Sequence, residues 1–296
     1  MIYLSFYKAT YEYLLQKAAA HGVSEIELQK YFAPNTGNGN LFNYYKDAPM
    51  KNLFYRFAYH AQDGNQINNV IKFPIGNDIE AANRRKSFDK LLCGFDHSKF
   101  LKQYKSVDCF FDEFISVMKM NRLSKQSITG QYTRGIPYRY CKSVFSAAQF
   151  LSQFKDENEL KNKLLSLGNM SPIFLSFEIY GFAIPLSCDF IKELDWVSFD
   201  LPKPDVHIVK LLYELNFIEK DTGPEASYQA IKKMNQIVLE IQKYDNTITA
   251  YKLDKILWLI CSETFYLHDN KKNTGSQKRS NYLSYIKTSI EKEITP

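Results

Sequence analysis

The stretch Phe177-Glu178-Ile179-Tyr180-Gly181-Phe182-Ala183-Ile184-Pro185-Leu186-Ser187-Cys188-Asp189-Phe190-Ile191-Lys192-Glu193-Leu194 decides how this chain folds. It reads as an apolar helix that stops at Gly181, turns through three residues and restarts with Pro185 in its first turn. Proline is harmless there, because the first amides of a helix have no intrahelical acceptor. Leu186, Phe190, Ile191 and Leu194 recur at helical spacing and supply a buried face. Ser187 and Cys188 are small enough to let a partner helix approach closely.

Outward from this corner the helical period continues in both directions. Residues 3–20 carry Tyr3, Phe6, Tyr7, Tyr11, Leu14, Leu15 and Ala18 close to an i, i+3, i+4 stripe. Ser24-Glu25-Ile26-Glu27 is a capping box that starts a short helix to Phe32. Pro34 to Asn43 is a polar loop, and helical patterns resume at about 50–63, 78–93 and 106–120. Gly130 to Tyr140 reads as a connection rich in Gly, Arg and Tyr. Asp156 caps a helix that Gly168 ends. Apolar helices follow near 172–180, 184–194 and 204–217, then from Pro224 to about Tyr244, Leu253 to Leu267 and 280–292. No alternating runs are long enough for a sheet, so the expected class is mainly α. The expected organisation is a helical region over 1–130 with no role assigned, and a region over 131–296 that carries the corner, the two able to form one compact unit.

Composition excludes several classes of protein. An apolar share of 45% excludes disorder, and the uncharged run Leu164 to Phe177 is too short to span a bilayer. Lys8 and Glu12 interrupt any secretory apolar run. Lys outnumbers Arg by 31 to 7 beside 21 Tyr and 22 Phe, a bias of AT-rich coding, so part of the aromatic excess carries no function. A net charge of +6 permits acidic partners but does not by itself predict them. Five cysteines with no C-x-x-C pair are expected as thiols in a reducing cytoplasm. Phosphate-binding, dinucleotide and G-x-S-x-G motifs are absent, and no histidine sits in H-x-E or H-E-x-x-H. Chemistry without metal or cofactor is the expectation.

A second feature follows the corner: Leu201-Pro202-Lys203-Pro204-Asp205-Val206-His207-Ile208, leading into Val209, Leu211, Leu212, Leu215 and Phe217. The two prolines stiffen an extended segment, and the second starts a helix. Asp205 then lies in the first helical turn, where the dipole attracts negative charge, and is expected to face the interior. Two readings stand side by side, a capping carboxylate and a positioned catalytic one.

The order of these features, a hairpin at Gly181 and then Pro204-Asp205-Val206-His207-Ile208, resembles the helix-hairpin-helix DNA glycosylase superfamily. Members carry a glycine-rich hairpin and then a catalytic aspartate in a motif often written V-D-x-H-h. The match covers residues 172–217, and the helices after it, to about Leu267, fit without adding a motif. The resemblance implies a two-lobed helical architecture and a monofunctional DNA N-glycosylase. Its partner would be double-stranded DNA containing a damaged or modified base, flipped into a pocket between the lobes. Asp205 falls on the catalytic aspartate, with His207 supporting it. Tyr180, Gly181, Phe182 and Ala183 fall on the phosphate-binding hairpin, and Ala183 replaces a family glycine. Pro185 occupies the place of the lysine that bifunctional members use, so no lyase step is expected. Only Cys261 lies near the family's iron–sulfur loop, so no cluster is expected. Lys203 is expected on a DNA phosphate or as a solvated lysine, rather than as a substitute lyase amine. A cytoplasmic, nucleoid-associated location follows.

Two other readings stay open: a non-catalytic helix-hairpin-helix DNA-binding module, and an all-helical interaction domain in which Gly181 and Asp205 are merely a corner and a cap. Arg134, Tyr138, Arg139, Tyr140 and Lys142 read either as an exposed loop or as a surface for a flipped base, with Arg139 and Lys142 as its DNA contacts. Arg84-Arg85-Lys86 reads as a solvated helix face. Lys271, Lys272, Lys278 and Arg279 read either as DNA backbone contacts or as a frayed basic connection, and Trp258 as core. Nothing singles out Gln66, Asn68 or Asn69.

Overall fold

Caps and proline positions set most helix boundaries in the computed structural model. It describes residues 2–32, 45, 47–65, 79–120, 135–195, 198–262, 265 and 279–294. Among these residues the secondary structure is entirely helical, as the periodicity predicts. Helix α1 spans Ile2–Ala20 and α2 spans Glu25–Phe32. The capping box forms: the Glu27 amide donates to Ser24 Oγ at 3.2 Å and the Ser24 amide to Glu27 Oε2 at 2.9 Å. Then come α3 (Pro49–Asn65) and α4 (Ile79–Leu91). A 3-10 turn at Cys93–Phe95 leads into α5 (His97–Gln103), capped by Asp96. Helices α6 (Val107–Met120) and α7 (Ile136–Leu151) follow. Helix α8 (Glu157–Leu167) starts at Asp156, which accepts from the Glu159 amide at 3.0 Å, and ends at Gly168. The 3-10 turn Gly168–Met170 precedes α9 (Ser171–Glu178), and α10 is Ile184–Leu194. The last four helices are α11 (Val206–Glu214), α12 (Gly223–Ile241), α13 (Ala250–Ser262) and α14 (Arg279–Ile294).

Two expected boundaries are corrected. The stretch read as a connection to Tyr140 is helical from Ile136, because Pro137 sits in the first turn and starts α7. Helix α11 begins at Val206, so Pro204 precedes the helix and Asp205 is its N-cap. The polar run Pro34–Asn43, Gln66, Asn68, Asn69, Arg134 and Lys271–Lys278 lie outside the described residues.

Two compact units divide the chain. The first is formed by both ends, Met1–Thr36 and Asp195–Pro296. Its core joins Phe6 and Leu14 of α1, Leu28 of α2, Leu211 of α11, Met234 of α12, Ile256 of α13, and Tyr282 of α14. Thr10 Oγ1 lies 2.8 Å from the Tyr282 hydroxyl and donates to the Phe6 carbonyl at 2.6 Å. The buried Lys17 ammonium donates to the Leu259 and Ile260 carbonyls at 3.1 and 2.8 Å, a cation at the C-terminus of α13. Trp258 is partly buried against this core, as expected.

The second unit, Gly37–Leu194, uses its aromatics as packing. Phe57 stacks on Phe190 at 3.8 Å between ring centroids and meets Phe182 edge-on at 5.5 Å. Buried tyrosines find carbonyl acceptors, Tyr104 on Leu91 at 3.1 Å and Tyr140 on Ala58 at 3.2 Å. A boundary at residue 130 groups the chain differently, since α7 packs on α3, α5 and α6 within this unit. No described helix is long and apolar enough to cross a membrane.

Candidate functional site

The predicted corner is present in the second unit. Helix α9 ends at Glu178 and α10 begins at Ile184. Between them the Phe182 amide donates to the Ile179 carbonyl at 3.1 Å, closing a four-residue turn. Gly181 is its third residue at φ +78°, the left-handed conformation that a type II turn requires there. Among described non-glycine residues, positive φ is confined to Cys93, Phe95 and Asn216, so Ala183 sits at negative φ and needs no glycine. Gly181 and Ala183 are exposed, and their amides donate to no other described residue. Exposed amides beside a helix start are groups to which an anion can bind.

Helix α7 holds this turn from the side. Ser143 Oγ donates to the Tyr180 carbonyl at 2.6 Å, and the Tyr180 amide donates to Ser146 Oγ at 3.0 Å. Ser146 Oγ donates in turn to the Ser143 carbonyl at 2.9 Å. The exposed Lys142 places its ammonium 4.1 Å from the centre of the Tyr180 ring, a cation–π contact beside the turn. Arg139 is exposed one turn earlier on the same helix. Ser143 and Ser146 were missed by the sequence reading. Their i, i+3 spacing beside Lys142 marks one helix face once α7 is known to start at Ile136.

Two expected contacts are corrected. The Phe182 side chain is only 2% exposed, packed on Phe57 and Phe190, and its amide is held by Ile179, so it has no donor for a phosphate. Tyr140 is a core residue whose phenol is pushed well above its ordinary range by burial. Tyr138 donates to Asp108 at 2.9 Å, and that hydrogen bond raises its pKa. Of the basic-aromatic stretch, Arg139 and Lys142 remain as exposed cations.

Asp205 lies in the first unit, with Lys203 and His207. Its Oδ1 accepts from the His207 amide at 2.9 Å and the Ile208 amide at 3.0 Å. One oxygen therefore carries the entire cap, and Oδ2 takes no hydrogen bond from a described residue. Asp205 is half-buried rather than interior. Pro202 and Pro204 are buried beside it, and the Asp205 amide donates to the Lys203 carbonyl at 2.8 Å. His207 contributes its amide, and its imidazole is exposed. Lys203 is half-buried.

The structure thus brings Tyr180, Gly181, Ala183, Lys142 and Arg139 into one region of the second unit. It brings Lys203, Asp205 and His207 together in the first. Among the described residues no three His, Cys, Asp or Glu side chains converge to hold a metal ion. No protein-family model, curated protein or solved structure matches this chain.

Proposed function

We propose that this protein is a monofunctional DNA N-glycosylase of the helix-hairpin-helix type, two-lobed in architecture, that removes a damaged or modified base from double-stranded DNA. The observation that carries the reading is the Asp205 carboxylate. Two amides fix it through Oδ1, buried prolines stiffen the approach, and Oδ2 takes no hydrogen bond from a described residue. A carboxylate held rigidly with one oxygen to spare is suited to a reaction that develops positive charge on a sugar. The bond between C1′ and the base nitrogen breaks, and the base leaves with the bonding pair. Water adds to C1′ and its proton passes to the departing base or to solvent. Asp205 stabilises the cationic sugar and orients the water. The amides of Gly181 and Ala183, flanked by Lys142, supply the backbone contact that positions the duplex.

One observation favours a second reading, a non-catalytic DNA-binding hairpin protein: Asp205 already serves α11 as its N-cap. Incubation with duplexes carrying uracil, 8-oxoguanine, hypoxanthine, 7-methylguanine or 5-methylcytosine separates the two. Subsequent alkali cleaves strands at abasic sites. Cleavage of one of these duplexes is expected, and binding to DNA with no cleavage of any of them supports the second reading.

A further inference from the structure

The segment that delivers Asp205 is fastened at its other end as well. Asp200 stands five residues earlier, and both of its oxygens reach helix α13. Its Oδ2 accepts from the Ala250 amide at 2.7 Å, and Oδ1 accepts from the Tyr251 amide at 2.9 Å. Helix α13 already has a local cap, since Thr249 Oγ1 accepts from the Lys252 amide at 3.1 Å. The remote carboxylate takes the two amides that Thr249 does not reach, and in doing so it links two separate segments. It ties residue 200 to one helix start, while Asp205 ties the same short segment to another.

Little slack remains between the two ties. Five residues reach at most about 17 Å when extended, and prolines at 202 and 204 fix two of the intervening φ angles. Leu201, Pro202 and Pro204 are buried along the way. A shift at Asp200 is therefore passed to Asp205 rather than absorbed by the chain between them. We propose that Asp200 is a positioning residue for Asp205, stapling the aspartate segment to α13 so that the Asp205 carboxylate is held in one place. The catalytic part of this inference rests on the glycosylase reading.

The test compares Asp200→Ala with Thr249→Ala, which removes the local cap from the same helix. Both variants lower the melting temperature. Only Asp200→Ala slows single-turnover excision, by about tenfold or more on the duplex the wild type cleaves fastest, because misplacing a reacting group by about 1 Å can cost 10²-fold. DNA affinity stays within about twofold in both. Asp200→Asn, which keeps one acceptor, recovers part of the rate. Amide exchange at His207 and Ile208 rises in Asp200→Ala and stays at the wild-type level in Thr249→Ala. Wild-type excision by Asp200→Ala, or an equal loss in Thr249→Ala, overturns the proposal. If the wild type cleaves none of the duplexes, the glycosylase reading falls by itself. Exchange at His207 and Ile208 then still decides whether Asp200 holds the Asp205 turn, and unchanged exchange overturns that too.

Discussion

Gly181 and Pro185 show how much a single position does in the hairpin. Gly181 holds φ +78°, where an L side chain costs about 1 kcal/mol. Gly181→Asp adds that strain and sets a carboxylate beside the amides of Gly181 and Ala183. DNA binding should weaken whatever the base sequence, while helicity by circular dichroism stays near the wild-type value. An unchanged affinity at about 50 mM salt, where phosphate contacts count most, would remove the hairpin from the interface. Pro185 stands in the first turn of α10, at the place where the proposed glycosylase reading puts the amine of a lyase. Borohydride should trap no covalent adduct with an abasic strand. Strong trapping that disappears in Lys203→Ala would make Lys203 the nucleophile instead. Both residues are legible as punctuation, since glycine stops a helix and proline starts one. Burial of Phe182 is not legible, because an aromatic beside a turn looks the same whether it meets solvent or Phe57.

At the level of elements, local signals locate helices and tertiary partners give them their roles. The Asp156 cap, the Ser24 capping box and the corner at Gly181 all form where their residues predict. Helix α5 went unseen because seven residues with Phe100 as their buried member are too short to establish a period. Helix α7 is not among the elements read from the sequence, because the glycine and proline signals at its first turn also mark loops. That error concealed the face on which Ser143, Ser146 and Lys142 meet Tyr180. Ser146→Ala removes the acceptor for the Tyr180 amide, and a lost hydrogen bond of this kind costs about 1 kcal/mol. The expected result is a lower melting temperature with faster amide exchange at Tyr180. Unchanged exchange at Tyr180 would show that Ser146 does not hold the turn.

The division of the whole molecule into units is carried by contacts no local pattern reveals. Helix α1 packs against α14, and Thr10 meets Tyr282 across 272 positions of sequence. Their apolar stripes predict that each helix buries a face, but not against which partner. The aspartate segment was legible as residues, while its fastening to α13 through Asp200 was not, because Ala250 lies fifty positions on. The functional account of the molecule turns on the spare oxygen of Asp205. Asp205→Asn keeps an acceptor for the His207 and Ile208 amides and removes the negative charge. The measurement is single-turnover base excision by this variant beside its melting curve and its DNA affinity. We expect excision to fall by about 10²-fold or more, with affinity retained and stability within about 1 kcal/mol of the wild type. Excision at the wild-type rate would reduce Asp205 to a helix cap and contradict the glycosylase account.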